Sequence, residues 1–174
     1  MYEKESGYLK LGSLQGIPVY FHWSFPIAGI IISLSGKGSL EQTVYYILSC
    51  SLLIFIHELG HLIAAKSMDL EVFAIKVSGA GGMCHCEEPT SYKSAFLVYS
   101  GGLLAQTILF IATATYLVLF DYPASKIGFC FVMTFTLVNV IMFVINIIPS
   151  KLADGNLTDG FVLLKLLRGR YGKA

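Results

Sequence analysis

Charge is scarce in this chain. Of its 174 residues only 12 are Lys or Arg and 11 are Asp or Glu, a charged fraction of 13%. A soluble domain carries about a quarter of its residues as charges, so a water-exposed globule is excluded. The net charge of +1 leaves no basic field for a nucleic acid. Cysteine is scarce as well: Cys50, Cys84, Cys86 and Cys130 are too scattered for a disulfide framework. Cys84-His85-Cys86 lacks the ligand spacing of zinc frameworks, and a cysteine inside an apolar run packs as a small hydrophobe. The opening Met1-Tyr2-Glu3-Lys4-Glu5 runs into a polar stretch without an apolar core, so no removable signal peptide is expected.

What fills the chain instead is apolar, 55% of all residues. Four apolar spans can be drawn, at about residues 21–34, 43–68, 96–120 and 127–148, the first short for a bilayer crossing. The expected fold class is an all-α membrane protein of about four transmembrane helices with a small membrane-associated β element, forming one integral-membrane domain over residues 1–174. Lys4 and Lys10 precede the first span; Lys66, Lys76 and Lys93 lie between the second and third; Lys151, Lys165, Arg168, Arg170 and Lys173 follow the fourth. Only Lys37 and Lys126 fall on the other side. The positive-inside rule places both termini in the cytoplasm, and the short loops suggest a bacterial-type inner membrane. Between the second and third spans, Leu70 to Val77 is rich in β-branched and aromatic residues and ends at Ser78-Gly79-Ala80-Gly81-Gly82. That pattern predicts a strand and a glycine-rich turn. It reads either as a plain hairpin or as an edge that pairs with an extended peptide.

Inside the second span stands His57-Glu58-Leu59-Gly60-His61. Ionisable groups at membrane depth are costly and mark function by default. Residues four apart share one helix face. His57 and His61 can therefore offer two imidazole nitrogens to one ion, while Glu58 stays free to take a proton from water at that ion. The alternative is a pair of core histidines satisfied by hydrogen bonds.

A catalytic zinc site takes three protein ligands and keeps one position open. Past the fourth span, which ends at Asn146-Ile147-Ile148-Pro149, come two acidic glycine pairs, Asp154-Gly155 and Asp159-Gly160. Either aspartate is a candidate third ligand. Residues 159–170 read as an amphipathic helix that Thr158 can cap. Asn139 reads as a helix-to-helix hydrogen bond, and His22 beside Trp23 as an interfacial pair.

With these residues in view, the chain resembles the site-2 protease family of intramembrane zinc metalloproteases (peptidase family M50), in its compact form without PDZ or CBS domains. The resemblance covers nearly the whole chain. Leu11 to Ser24 is similar to the family's opening strand and entry to its first helix, and His57 to His61 to its HELGH motif. Gly79 to Gly82 with Glu87-Glu88-Pro89 is similar to its membrane-associated strand and loop. Gly102-Leu103-Leu104-Ala105-Gln106 resembles its G-P-L-A-N signature, with Leu103 in place of Pro and Gln106 in place of Asn. Asn146 to Pro149 with a downstream Asp-Gly is similar to its ligand motif.

The resemblance implies a zinc metalloendopeptidase that cuts in or near transmembrane segments of membrane-held regulators or peptide precursors. Zn2+ is the expected cofactor, with His57, His61 and Asp159 as ligands, Glu58 as the catalytic base and Asn146 as a substrate-orienting residue. Spacing from Asn146 alone would favour Asp154, so the two aspartates remain rivals. Expected partners are the lipid bilayer and a membrane-held peptide, with no nucleic acid. Helix-weakening Gly, Pro or Asn in the substrate would be preferred, because a bonded helix must unwind before it is cut. Two other classes stand beside this reading: a non-catalytic peptide-binding protein on the same scaffold, and a metal transporter.

Overall fold

A computed structural model of the chain describes residues 7–25, 39–79, 81–151 and 156–169. Its elements in order are strands β1 (Tyr8–Leu14) and β2 (Ile17–His22), helix α1 (Leu40–Ser67), strands β3 (Val72–Ser78) and β4 (Gly81–Cys86), and helices α2 (Tyr92–Leu119), α3 (Lys126–Ile147) and α4 (Asp159–Leu167). Helices α1, α2 and α3 are long and apolar enough to cross a membrane. Large apolar side chains stand exposed along them, among them Leu104, Ile108 and Val118 on α2. Such surface is costly in water and suited to lipid.

The helices begin earlier than the apolar runs suggest, because polar residues start them. Ser39 and Gln42 cap α1 reciprocally: Ser39 N–H donates to Gln42 Oε1 at 3.0 Å and Gln42 N–H to Ser39 Oγ at 3.3 Å. Ser91 and Ser94 do the same for α2. Helix α1 ends where Asp69 takes a left-handed conformation (φ 57°) and Leu70 N–H closes back onto Ala65 O. Helix α4 stops three residues short of its expected end, at the left-handed Gly169.

The β element is larger than one strand and a turn. It is a four-stranded sheet in the order β1-β2-β3-β4, antiparallel except for the β2–β3 pair. Gln15 and Gly16, both at positive φ, make the tight β1–β2 hairpin. Phe21 pairs with Val77 across the parallel ladder, so the residues where a first helix was expected to begin finish β2 instead. The rest of that expected span, residues 26–34, lies outside the described residues. Among the described residues, three candidate spans and a four-stranded sheet stand where about four helices with a small β element were expected.

One face of the sheet packs on α1. Ile17, Val19, Ile75 and Val77 meet Ile54 and Leu62 in a buried cluster. Helices α1 and α2 cross with almost no side chain between them. A Cβ on Gly60 would fall 2.6 Å from the Gly101 carbonyl carbon and 2.8 Å from Ala105 Cβ; one on Gly101 would fall 2.5 Å from Gly60 O. Gly60 with Ala64 and Gly101 with Ala105 form the small-x-x-x-small pattern on both helices. Helix α3 joins through two buried polar contacts, Ser49 Oγ to Thr134 Oγ1 at 2.8 Å and Asn139 Nδ2 to Gln106 O at 2.9 Å.

Gly101→Leu should therefore destabilise the protein by about 3 kcal/mol, the upper end of overpacking. Gly12, whose Cβ would meet nothing within 4 Å, should tolerate Ala unchanged. Thermal unfolding in detergent compares the two.

Candidate metal centre

Helix α1 projects His57 and His61 one turn apart on a buried face, their side chains 6% and 10% exposed and their ring centroids 4.7 Å apart. Each ring is oriented by α2. His61 Nδ1–H donates to Val98 O at 2.7 Å, and since a carbonyl can only accept, the neutral ring carries its proton on Nδ1. His57 Nδ1 meets Gln106 Oε1 at 3.0 Å. Both rings then turn Nε2 lone pairs toward one point, the two atoms 3.0 Å apart.

The third group arrives from the far end of the chain. Asp159, the first residue of α4, places Oδ2 at 3.2 Å from His57 Nε2 and 3.5 Å from His61 Nε2. Burial works against its charge, yet His61 and His57 beside it hold the carboxyl down to about 2. A buried carboxylate is stable as an ion only when paired with a cation, here a protonated imidazole or a metal ion held by the two rings. Its Oδ2 has no hydrogen-bond partner of good geometry among the described residues. Three lone-pair atoms within 4.8 Å of one another, two imidazole nitrogens and a carboxylate oxygen, fit the donor set of a three-ligand zinc site.

Glycines let the elements close on this point. A Cβ on Gly102 would lie 2.5 Å from His57 Cε1 and from His61 Nε2, so α2 passes directly behind both rings. A Cβ on Gly160 would run into the Ile147 backbone, within 2.8 Å of its Cα. Thr158 sits at the N-cap of α4 without capping it: its Oγ1 donates to Ile148 O at 2.8 Å and accepts from Ser150 N–H at 3.1 Å. The hydroxyl that was expected to start the helix instead pins it to the end of α3.

Glu58, 3% exposed, lies under β4 and accepts a hydrogen bond from the Cys84 backbone. A Cβ on Gly82 would fall 2.5 Å from Glu58 Cγ. A cavity of about 860 Å3 joins His57, Glu58, His61, Asn146 and Asp159 to β4. Asn146 is half-buried on this wall. Asp154, the rival ligand, lies outside the described residues. Cys84, His85 and Cys86 line the cavity without joining the ligand group, and burial pushes the Cys84 thiol up. His22 is bonded to Ser24 Oγ at 2.7 Å and packs between Tyr8 and the exposed Trp23.

Sequence reasoning gave Gln106 and Gly102 no role of their own. The signal was present: Val98, Gly102 and Gln106 recur every fourth residue, one stripe of a helix.

No protein-family model matches the chain. It is 24% identical over 167 residues to a zinc metalloprotease of Methanocaldococcus jannaschii, covering 94% of this chain and 47% of that protein. It is 28% identical over 160 residues to a protein of Synechocystis sp. provisionally named a zinc metalloprotease, covering 84% and 42%. The chain thus spans less than half the length of these curated relatives. Its fold matches the site-2 protease from Methanocaldococcus jannaschii with a TM-score of 0.72, at 20% identity, over 95% of this chain and 74% of that one. The architecture is therefore that of an integral membrane protein with a site-2 protease fold. Over most of its length the chain is also similar to proteins named as zinc metalloproteases.

Gly160→Ala should push α4 off the Ile147 backbone and carry Asp159 with it. Zinc affinity measured by chelator competition is expected to fall about tenfold or more, the range seen when a ligand loses its support.

Proposed function

We propose that the chain is a single-domain intramembrane zinc metalloendopeptidase. The observation that carries this reading is the convergence of His57 Nε2, His61 Nε2 and Asp159 Oδ2, with the Glu58 carboxyl buried in the same cavity. A zinc ion bound there would supply a Lewis acid for the scissile carbonyl and a lowered pKa for an attacking water. Glu58 takes the water proton on its carboxylate and returns it to the leaving amine nitrogen. The Cys84 backbone holds that carboxylate in place. Asn146, on the cavity wall, orients the substrate backbone.

Among the described residues β4 ends the sheet order, and it lines the cavity, which suits its outer edge to pairing with an extended peptide. The substrate is a transmembrane or membrane-associated segment, unwound where it meets β4, from a membrane-held regulator or a peptide precursor. Cytoplasmic termini and a bacterial inner membrane belong to this proposal as well.

The test is metal content together with cleavage of a transmembrane reporter. Wild type is expected to hold one zinc per chain and to cut. Glu58→Gln should keep the zinc and lose about 100-fold or more in rate, the scale of general-base catalysis. Asp159→Ala should lose the zinc and Asp154→Ala should keep it. Metal lost only with Asp154→Ala would move the ligand role to that residue; a metal-free wild type would end the protease reading.

A further inference from the structure

Four of the most deeply buried polar side chains, Ser49, Gln106, Thr134 and Asn139, are each at most 1% exposed, and three of them bear on α3 at one irregularity. Residues Thr134–Val138 form a π turn, in which one extra residue is wound into the helix. Asn139 N–H consequently reaches back to Thr134 O, and Phe135 O, its partner in a regular α-helix, is released. The Asn139 side chain takes up that carbonyl, Nδ2 donating to Phe135 O at 3.2 Å and to Gln106 O on α2 at 2.9 Å. Both partners can only accept, so the orientation of the Asn139 amide is fixed, with Oδ1 turned away from them.

That leaves one acceptor and one donor over. Asn139 Oδ1 and Gln106 Nε2 are buried with no hydrogen-bond partner among the described residues. The Gln106 amide turns Oε1, not Nε2, toward His57 Nδ1. The two ligand rings are therefore held in different ways. His61 is oriented by the Val98 carbonyl, which no substitution removes; His57 depends on the Gln106 side chain.

We propose that Gln106 is a positioning residue for the metal: its Oε1 keeps the His57 proton on Nδ1 and bares Nε2, and Asn139 with the π turn holds Gln106 there. The inference rests on the zinc reading above, and its test separates the two. Zinc affinity of the detergent-solubilised protein is measured by chelator competition, with the visible spectrum of the Co2+-loaded protein as a record of ligand geometry. Gln106→Leu should bind zinc about 10–100-fold more weakly and alter the Co2+ spectrum. Gln106→Glu should bind at least as tightly as wild type, because a carboxylate accepts from Nδ1–H and cannot donate. Asn139→Ala should weaken binding in the wild-type background but add little to Gln106→Leu, since the two act along one route.

Gln106→Leu binding within twofold of wild type would overturn the proposal. So would Gln106→Glu as weak as Gln106→Leu, which would mean that the amide donates to His57. If wild type itself binds no zinc, the metal reading falls and takes this inference with it.

Discussion

The α1–α2 crossing is the constraint on which the rest depends. Backbone meets backbone at Gly60 and Gly101, and this approach brings α2 close enough to serve α1 as a wall. Val98, Gly102 and Gln106 follow at four-residue intervals along that wall. One supplies a carbonyl to His61, one supplies room for both rings, and one supplies an amide oxygen to His57. Larger residues at the crossing would lift α2 away and leave both imidazoles without orientation. Small side chains here do for function what an apolar core does for stability in water.

The same economy governs the opposite side of the cavity. Gly82 carries no Cβ over Glu58, so β4 lies directly on the carboxyl group, and Gly160 lets α4 abut the last turn of α3. Thr158 completes that junction with bonds to Ile148 and Ser150. Buried polar groups are thereby matched to main-chain partners, which cost no side-chain ordering.

The three long helices were legible because lipid-compatible composition is a property of each segment alone. Their ends were less so: Ser39 and Ser91 cap from outside the apolar runs. The paired histidines could be placed together from their four-residue spacing, and the amphipathic run after Asp159 pointed to that aspartate through resemblance. The structure brings Asp159 beside both rings. The β1–β2 hairpin was harder to see because its tight turn is Gln15-Gly16, without the usual Asn or Asp. The π turn at Thr134–Val138 left no mark at all, since one extra residue in an apolar helix changes neither composition nor period enough to notice. The purpose of Gly102 and Gln106 could be read only once two helices were side by side.

Asp159 stands on a nine-residue helix whose apolar hold on α2 is Val162 and Leu166 against Ala95, with Tyr99 and Leu163 packed around them. His61 and Asp159 are separated by nearly a hundred residues. An ion shared between them would close that whole stretch into a ring, removing chain entropy as a long-range cross-link does. The cross-link would be reversible and drawn from the solution, so the local concentration of one cation would set how firmly the C-terminal helix is fastened to the rest.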